Sequence, residues 1–186
     1  MGKYRTNFIV NISKKRTTLG WLFFVFVALL GNGGSKYILL GLPLILAGLV
    51  IRFVSAGVIK KNRVLTTTGP YSLCRNPLYL GSFLICLGFV VASFNIFILL
   101  YFLIFFPIAY IPTIFSEEKV LTEIFGQTYI DYKKQVPSFL PKLKGPKNIE
   151  MFSVKQALLN GEHWNLIGVA ITIGILLIKA NKIFYK

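Results

Sequence analysis

The chain is 186 residues long and 55% hydrophobic, with a mean hydropathy of +0.67, which is more apolar than a soluble domain of this size carries. Its 21 Lys and Arg against 6 Asp and Glu give a formal charge of +15, but the basic residues gather in the segments between apolar runs. That pattern points to a membrane face and argues against a nucleic-acid surface. Cys74 and Cys86 form no CxxC pair and have no neighbouring His, so neither a disulfide framework nor a metal centre is expected.

In chain order, five apolar segments predict helices: roughly Thr18 to Leu30, Tyr37 to Ile59, Leu78 to Phe94, Ile96 to Phe115 and Trp164 to Ala180. Most approach the about 20 residues needed to cross a bilayer. The expected fold is therefore all-α, a single polytopic membrane domain over 1–186 with about five transmembrane helices. Gly31-Asn32-Gly33-Gly34 reads as a loop between the first two helices, and Ser93, Phe94 and Asn95 as the tip of a tight hairpin between the third and fourth.

Basic residues set the expected orientation. Five lie before the first segment, four between Lys60 and Arg75, and seven between Ser116 and His163, all on one side, which predicts a cytoplasmic amino terminus and cytoplasmic motif loops. Lys179, Lys182 and Lys186 then fall on the far side. All six acidic residues, Glu117, Glu118, Glu123, Asp131, Glu150 and Glu162, follow the fourth segment. From Glu117 to Lys134 the spacing of apolar residues predicts an amphipathic surface helix, with Gly126 as a break.

Two polar groups sit at the predicted membrane edge, where charge is costly unless it is used. In the first, Gly69-Pro70 makes a turn, Pro77 opens the third helix, and Arg75 and Asn76 flank a helix N-terminus that favours an anionic group. Arg75 suits a bidentate grip on a carboxylate or phosphate, and Tyr71 and Tyr79 offer rings and hydroxyls beside it. In the second, Glu117 and Glu118 follow an apolar helix, and adjacent carboxylates repel each other unless cations or hydroxyl donors compensate them. Arg52, inside the second apolar segment, either reaches the same cavity or snorkels to headgroups. His163, beside Trp164, reads as an interfacial residue.

Together these residues carry a resemblance. Gly69-Pro70-Tyr71, Arg75-Asn76-Pro77-Leu78-Tyr79-Leu80-Gly81, Glu117-Glu118-x-x-Leu121, Phe125-Gly126, Tyr129, Tyr132 and Val136-Pro137 resemble the isoprenylcysteine carboxyl methyltransferase and phospholipid methyltransferase superfamily, over about Leu40 to Pro141. The resemblance implies an integral membrane methyltransferase using S-adenosylmethionine at the cytoplasmic edge, with membrane lipids as surroundings and an apolar or lipid-like methyl acceptor as substrate. It implies cofactor contacts from Gly69, Tyr71, Arg75, Asn76, Pro77, Tyr79, Gly81, Glu117 and Glu118. Within that set Arg75, Asn76, Glu117 and Glu118 are expected to be catalytic, and Arg52, Tyr129 and Tyr132 to meet the substrate.

Two positions depart from the family pattern. Asn76 stands where the family has His, and Ser138 where an Arg commonly follows the Val-Pro pair. Losing that guanidinium weakens the case for a carboxylate-bearing acceptor. Two other readings stay open: an NADPH-dependent membrane reductase of the sterol-reductase type, and a non-catalytic lipid-binding scaffold.

Overall fold

The computed structural model describes residues 18–59, 64–142 and 152–184, with the side chains of 182–184 excepted. The five amino-terminal basic residues, Lys60, Lys61, Arg63, Lys144, Lys147 and Lys186, which enter the orientation argument, lie outside the described residues, as does Glu150. Every regular element described is helical: α1 (Thr18–Leu30), α2 (Ser35–Val58), a 3-10 turn (Gly69–Ser72), α3 (Pro77–Ser93), α4 (Ile96–Phe125), α5 (Gln127–Gln135), α6 (Val154–Leu159) and α7 (Glu162–Phe184). Three of these, α2, α4 and α7, are long and apolar enough to cross a membrane, and α1 and α3 are shorter apolar helices.

The outward faces remain apolar, with Leu39, Phe97, Ile108 and Ile171 all exposed. A helix that is apolar on every side needs hydrocarbon or protein around it.

The tightest packing joins α2 and α3, and four glycines explain it. Gly41 and Gly48 on α2, and Gly81 and Gly88 on α3, each recur after seven residues and so stay on one face. A Cβ on Gly81 would lie 2.7 Å from the Gly48 carbonyl oxygen, and one on Gly88 would lie 2.8 Å from that of Gly41. Small residues let backbones approach where no hydrophobic drive exists between helices in lipid. By contrast, α3 and α4 meet through rings, with Phe83 against Phe102 and Phe106, and Tyr79 edge-on to Tyr110.

The α3–α4 connection is the expected tight hairpin. Phe94 adopts a left-handed conformation (φ 43°) and stacks on Tyr37 with ring centroids 3.9 Å apart. Asn95 caps α4 by accepting from the Phe97 and Ile98 N–H groups and donates to the Leu30 carbonyl, which ties the hairpin tip to the end of α1. At that same end Lys179 of α7 donates to the carbonyls of Ala28 and Leu29, a cation at a helix C-terminus.

One boundary differs from expectation. α4 does not stop near Phe115; it continues through both glutamates to Phe125, a length of about 45 Å at 1.5 Å per residue, longer than the hydrocarbon core. Glu117 and Glu118 are therefore helix-interior residues rather than a helix end. The predicted amphipathic helix is divided at Gly126 (φ 54°) into the last turns of α4 and the separate α5. α5 folds back so that Tyr129, Tyr132 and Val136 form a small second core with Leu65, Leu121 and Phe125.

α2 and α7 each begin two residues before the predicted start, so that α7 includes Glu162, and the short α6 before it is not among the expected helices. The position of α7 follows from the preceding corner. Phe152 packs on Phe53, the Ser153 N–H donates to the Gly57 carbonyl, and Asn160 Nδ2 donates to the carbonyls of Ala56 and Ile59 at the end of α2. Orphan carbonyls of one helix thus anchor the start of another.

Candidate functional site

At the end of the bundle where α2 finishes and α3 and α7 begin, a cavity of about 910 Å³ is lined by the motif segment, the late turns of α4, α5 and parts of α1 and α7. A volume at the upper end of the range typical of ligand pockets makes it the candidate site.

Arg75 organises one wall. Its backbone N–H donates to the Pro137 carbonyl (2.8 Å) and that of Asn76 to the Ser138 carbonyl (3.1 Å), so the motif lies against the segment after α5. The guanidinium meets Glu118 with Nη2 2.9 Å from each carboxylate oxygen and Nε 3.1 Å from Oε1, while Nη1 donates to the carbonyls of Lys133 and Val136. All five N–H donors are thereby engaged within the protein. Arg75 thus lines the cavity while its guanidinium closes on Glu118.

Glu118 is buried and heavily compensated. Besides Arg75 it accepts from Asn76 Nδ2 (3.0 Å) and Ser138 Oγ (2.8 Å), and Lys133 Nζ lies 3.5 Å away. It borders a separate recess with Lys119, Thr122 and Glu123 and does not line the main cavity. Asn76 is the residue before α3, yet its side chain bonds Glu118 and Ser138 instead of capping the helix. Ser138, read from sequence as a missing cation, is a donor to the buried carboxylate.

One residue along α4, about 100° around the helix, Glu117 lines the main cavity and accepts from the hydroxyl of Tyr79. Tyr79 is itself buried, its ring 5.5 Å from that of Tyr110. Pro77, the first residue of α3, lines the same wall.

Tyr71 lies on the 3-10 turn opened by Gly69, whose φ of 57° is the conformation glycine adopts without strain. The residue is 6% exposed and lines the cavity, and its hydroxyl is buried without a hydrogen-bond partner among the described residues. Burial, followed by the neighbouring Tyr132 and Glu117, pushes the phenol well above its ordinary pKa. Its own carbonyl accepts from Tyr132. Tyr129 and Tyr132 both line the cavity and are almost fully buried.

The packing of α2 against α3 and α7 places Gly81 and Arg52. Gly81 faces α2, where an added Cβ would lie 2.5 Å from Arg52 Cγ, and it serves close helix packing rather than the cavity wall. Arg52 resolves its two readings in favour of the cavity: Nη2 lies 2.7 Å and Nε 3.0 Å from the Glu162 carboxylate, and Nη1 donates to the Leu78 carbonyl and Ser82 Oγ. Sequence reasoning missed Glu162. Its signal was an acidic residue at the start of an apolar helix in a chain whose second apolar segment holds an unexplained arginine.

Comparison with known proteins identifies this region. A model of the phospholipid methyltransferase family matches residues 36–128. The cobalt-zinc-cadmium resistance protein CzcN of Cupriavidus metallidurans is 33% identical over 84 residues, covering 45% of this chain and 38% of that protein. The protein-S-isoprenylcysteine O-methyltransferase of Mus musculus is 36% identical over 94 residues, covering 45% of this chain and 29% of that protein. The protein of the same name from Schizosaccharomyces pombe is 33% identical over 95 residues, covering 51% and 40%. The matched stretch thus spans well under half the length of each relative. No solved structure matches the chain.

Proposed function

The chain belongs to the phospholipid methyltransferase family, and on that premise we propose that it transfers a methyl group from S-adenosylmethionine to a lipid or other apolar acceptor at the membrane edge holding its motifs. The observation that carries this reading is the Tyr71 hydroxyl, buried on the cavity wall with no hydrogen-bond partner among the described residues. An unmet polar group costs about 1–3 kcal/mol, which a ligand's polar atom recovers on binding.

The residues present suit the cofactor. It bears a carboxylate, an ammonium, a ribose diol, an adenine and a sulfonium, and the cavity offers the Tyr71 hydroxyl, the Glu117 carboxylate and the aromatic faces of Tyr79 and Tyr110. When bound, S-adenosylmethionine supplies a methyl whose bond to sulfur breaks as the acceptor's lone pair bonds the carbon, leaving a neutral thioether.

The chain's own residues divide that work. Tyr71, Tyr79 and Glu117 hold and orient the ligands, and Glu117 is the motif-end carboxylate able to take a proton released by the acceptor. Arg75, Asn76 and Glu118 act as positioning residues that lock the motif segment against Pro137 and Ser138. Tyr129 and Tyr132 close the cavity from α5 and keep water out, which with positioning can provide much of the acceleration of an in-line displacement. We place the motif edge and amino terminus on the cytoplasmic side, a reading supported by the distribution of basic residues.

Calorimetric titration of the protein in lipid nanodiscs with S-adenosylmethionine and S-adenosylhomocysteine tests this. Saturable binding that is weakened in Glu117→Gln is expected. Folded protein that binds neither compound overturns the proposal, and binding of NADPH instead redirects it to reductase chemistry.

A further inference from the structure

Polar contacts gather at two levels of the bundle, and each level ties several helices together. At one, the Arg52 guanidinium of α2 holds Glu162 at the start of α7 and donates to the Leu78 carbonyl in the first turn of α3. At the other, Lys179 of α7 donates to the carbonyls of Ala28 and Leu29, and Asn95 donates to that of Leu30. At this second level the Asn32 N–H also donates to the Ser93 carbonyl, and Tyr37 at the start of α2 stacks on Phe94. Charged and amide side chains are costly in hydrocarbon and aromatic rings settle at its boundary, so the two levels mark the edges of the apolar layer.

The helical rise measures their separation. Tyr37 to Arg52 on α2, and Leu78 to Ser93 on α3, each cover about 22 Å along the axis, and Glu162 to Lys179 on α7 covers about 26 Å. Three helices therefore agree on a layer several ångströms thinner than the about 30 Å of a typical hydrocarbon core. On α4 the path from Asn95 to Glu117 is longer, about 33 Å. Its ends are nonetheless held at the same two levels, one by the hairpin tip and the other by the hydrogen bond from Tyr79 in the first turn of α3. α4 covers that depth by a slanted or bent path, and Pro107 and Pro112 lie within it.

The surface between the levels is apolar and outward-facing. On α2 it comprises Leu39, Leu46 and Val50, and on α7 Ile171 and Ile178. The two turns of α2 beyond Arg52 do not lengthen it, because none of their residues is exposed and the corner from Phe152 to Asn160 docks there.

We propose that this outer surface is fitted to a hydrocarbon layer of about 25 Å, and that the phospholipids it gathers from a mixed membrane are those with short acyl chains. Long-chain neighbours would bury the Lys179 and Glu162 levels in hydrocarbon or force the bilayer to thin around the bundle, and either response disfavours them. The levels are fixed by bonds between helices, so the protein keeps its depth and the lipid shell adjusts to it.

Trp21 and Trp164 are the two tryptophans of the chain, and they are 48% and 60% exposed, so their fluorescence reports the lipid shell. The full chain is reconstituted in phosphatidylcholine carrying dibrominated chains, which quench tryptophan, mixed with unbrominated phosphatidylcholines of about 14, 18 or 22 carbons per chain. The recovery of fluorescence gives the relative affinity of the shell for each length. The shortest lipid is expected to displace the brominated one best, with about fivefold higher affinity than the longest.

Equal affinities, or a maximum at the longer lengths, overturn the proposal. Equal affinities accompanied by cross-linked dimers that accumulate as the chains lengthen would assign the surface to a second copy of the chain. The measurement uses neither cofactor nor acceptor, so its failure and that of the methyl-transfer reading are separate results.

Discussion

Arg75 and Glu118 meet in a two-pronged ion pair, Nη2 of the arginine 2.9 Å from both carboxylate oxygens, with side chains only 10% and 8% exposed. The pair joins the turn before α3 to the far half of α4, and through the Lys133 and Val136 carbonyls it also fixes the end of α5. Three separate segments of the cavity wall therefore depend on one guanidinium.

Removing either partner leaves a buried charge uncompensated. Arg75→Ala and Glu118→Gln are each expected to destabilise the fold by about 3–5 kcal/mol, while replacing both with methionine recovers a large part of that loss. Thermal unfolding of the two single variants and the double variant measures this; additive losses would show that the two side chains do not interact.

Tyr71→Phe removes a hydroxyl that has no hydrogen-bond partner among the described residues. Stability of the ligand-free protein is expected to hold or rise slightly, while affinity for S-adenosylmethionine falls about five- to tenfold, the worth of one hydrogen bond. Thermal shifts with and without cofactor separate the two effects. A variant less stable without ligand would mean that the hydroxyl serves the fold.

Cys74 is 1% exposed, and burial pushes its thiol from 9.0 to about 11. Only the thiolate reacts, so at pH 7.5 the folded protein is expected to resist iodoacetamide at this residue, while denatured protein is alkylated. The sign for stability follows: the folded-state pKa is raised, so this thiol's contribution is fully present below about pH 9 and is lost as pH rises through about 11. Peptide mass spectrometry after timed alkylation, with unfolding measured from pH 8 to 11, checks both; rapid labelling of folded protein at neutral pH would contradict the burial argument.

Gly81→Ala adds a methyl where Arg52 Cγ would be 2.5 Å and the Gly48 oxygen 2.7 Å away. Overpacking at a backbone contact costs about 1–3 kcal/mol, and here it also displaces the arginine that holds Glu162. A lowered unfolding temperature is expected, together with weaker retention of the α7 corner seen as faster proteolysis near Asn160. Gly20→Ala is the control, since a Cβ at Gly20 meets nothing within 4 Å.

The membrane character, the apolar helices, the hairpin at Asn95 and the break at Gly126 are properties of short stretches of chain, and all are legible in the sequence by itself. So is the family, because its motifs are local strings of residues. Hydropathy alone placed the end of α4 too early: charged residues at Glu117 and Glu118 end an apolar run, but they do not end a helix whose backbone bonds continue to Phe125.

Only the tertiary structure decided what each polar group faces. Glu117 and Glu118 are neighbours in sequence, yet the helical rotation between them sends one to the cavity with Tyr79 and the other to Arg75, Asn76 and Ser138. Arg52 and Glu162 stand 110 residues apart and meet because Asn160 docks the α7 corner on the end of α2. Partner choice of this kind depends on the rotation and offset of packed helices, which the seven-residue glycine spacing constrains for α2 and α3 and which no local pattern specifies for α1 and α7.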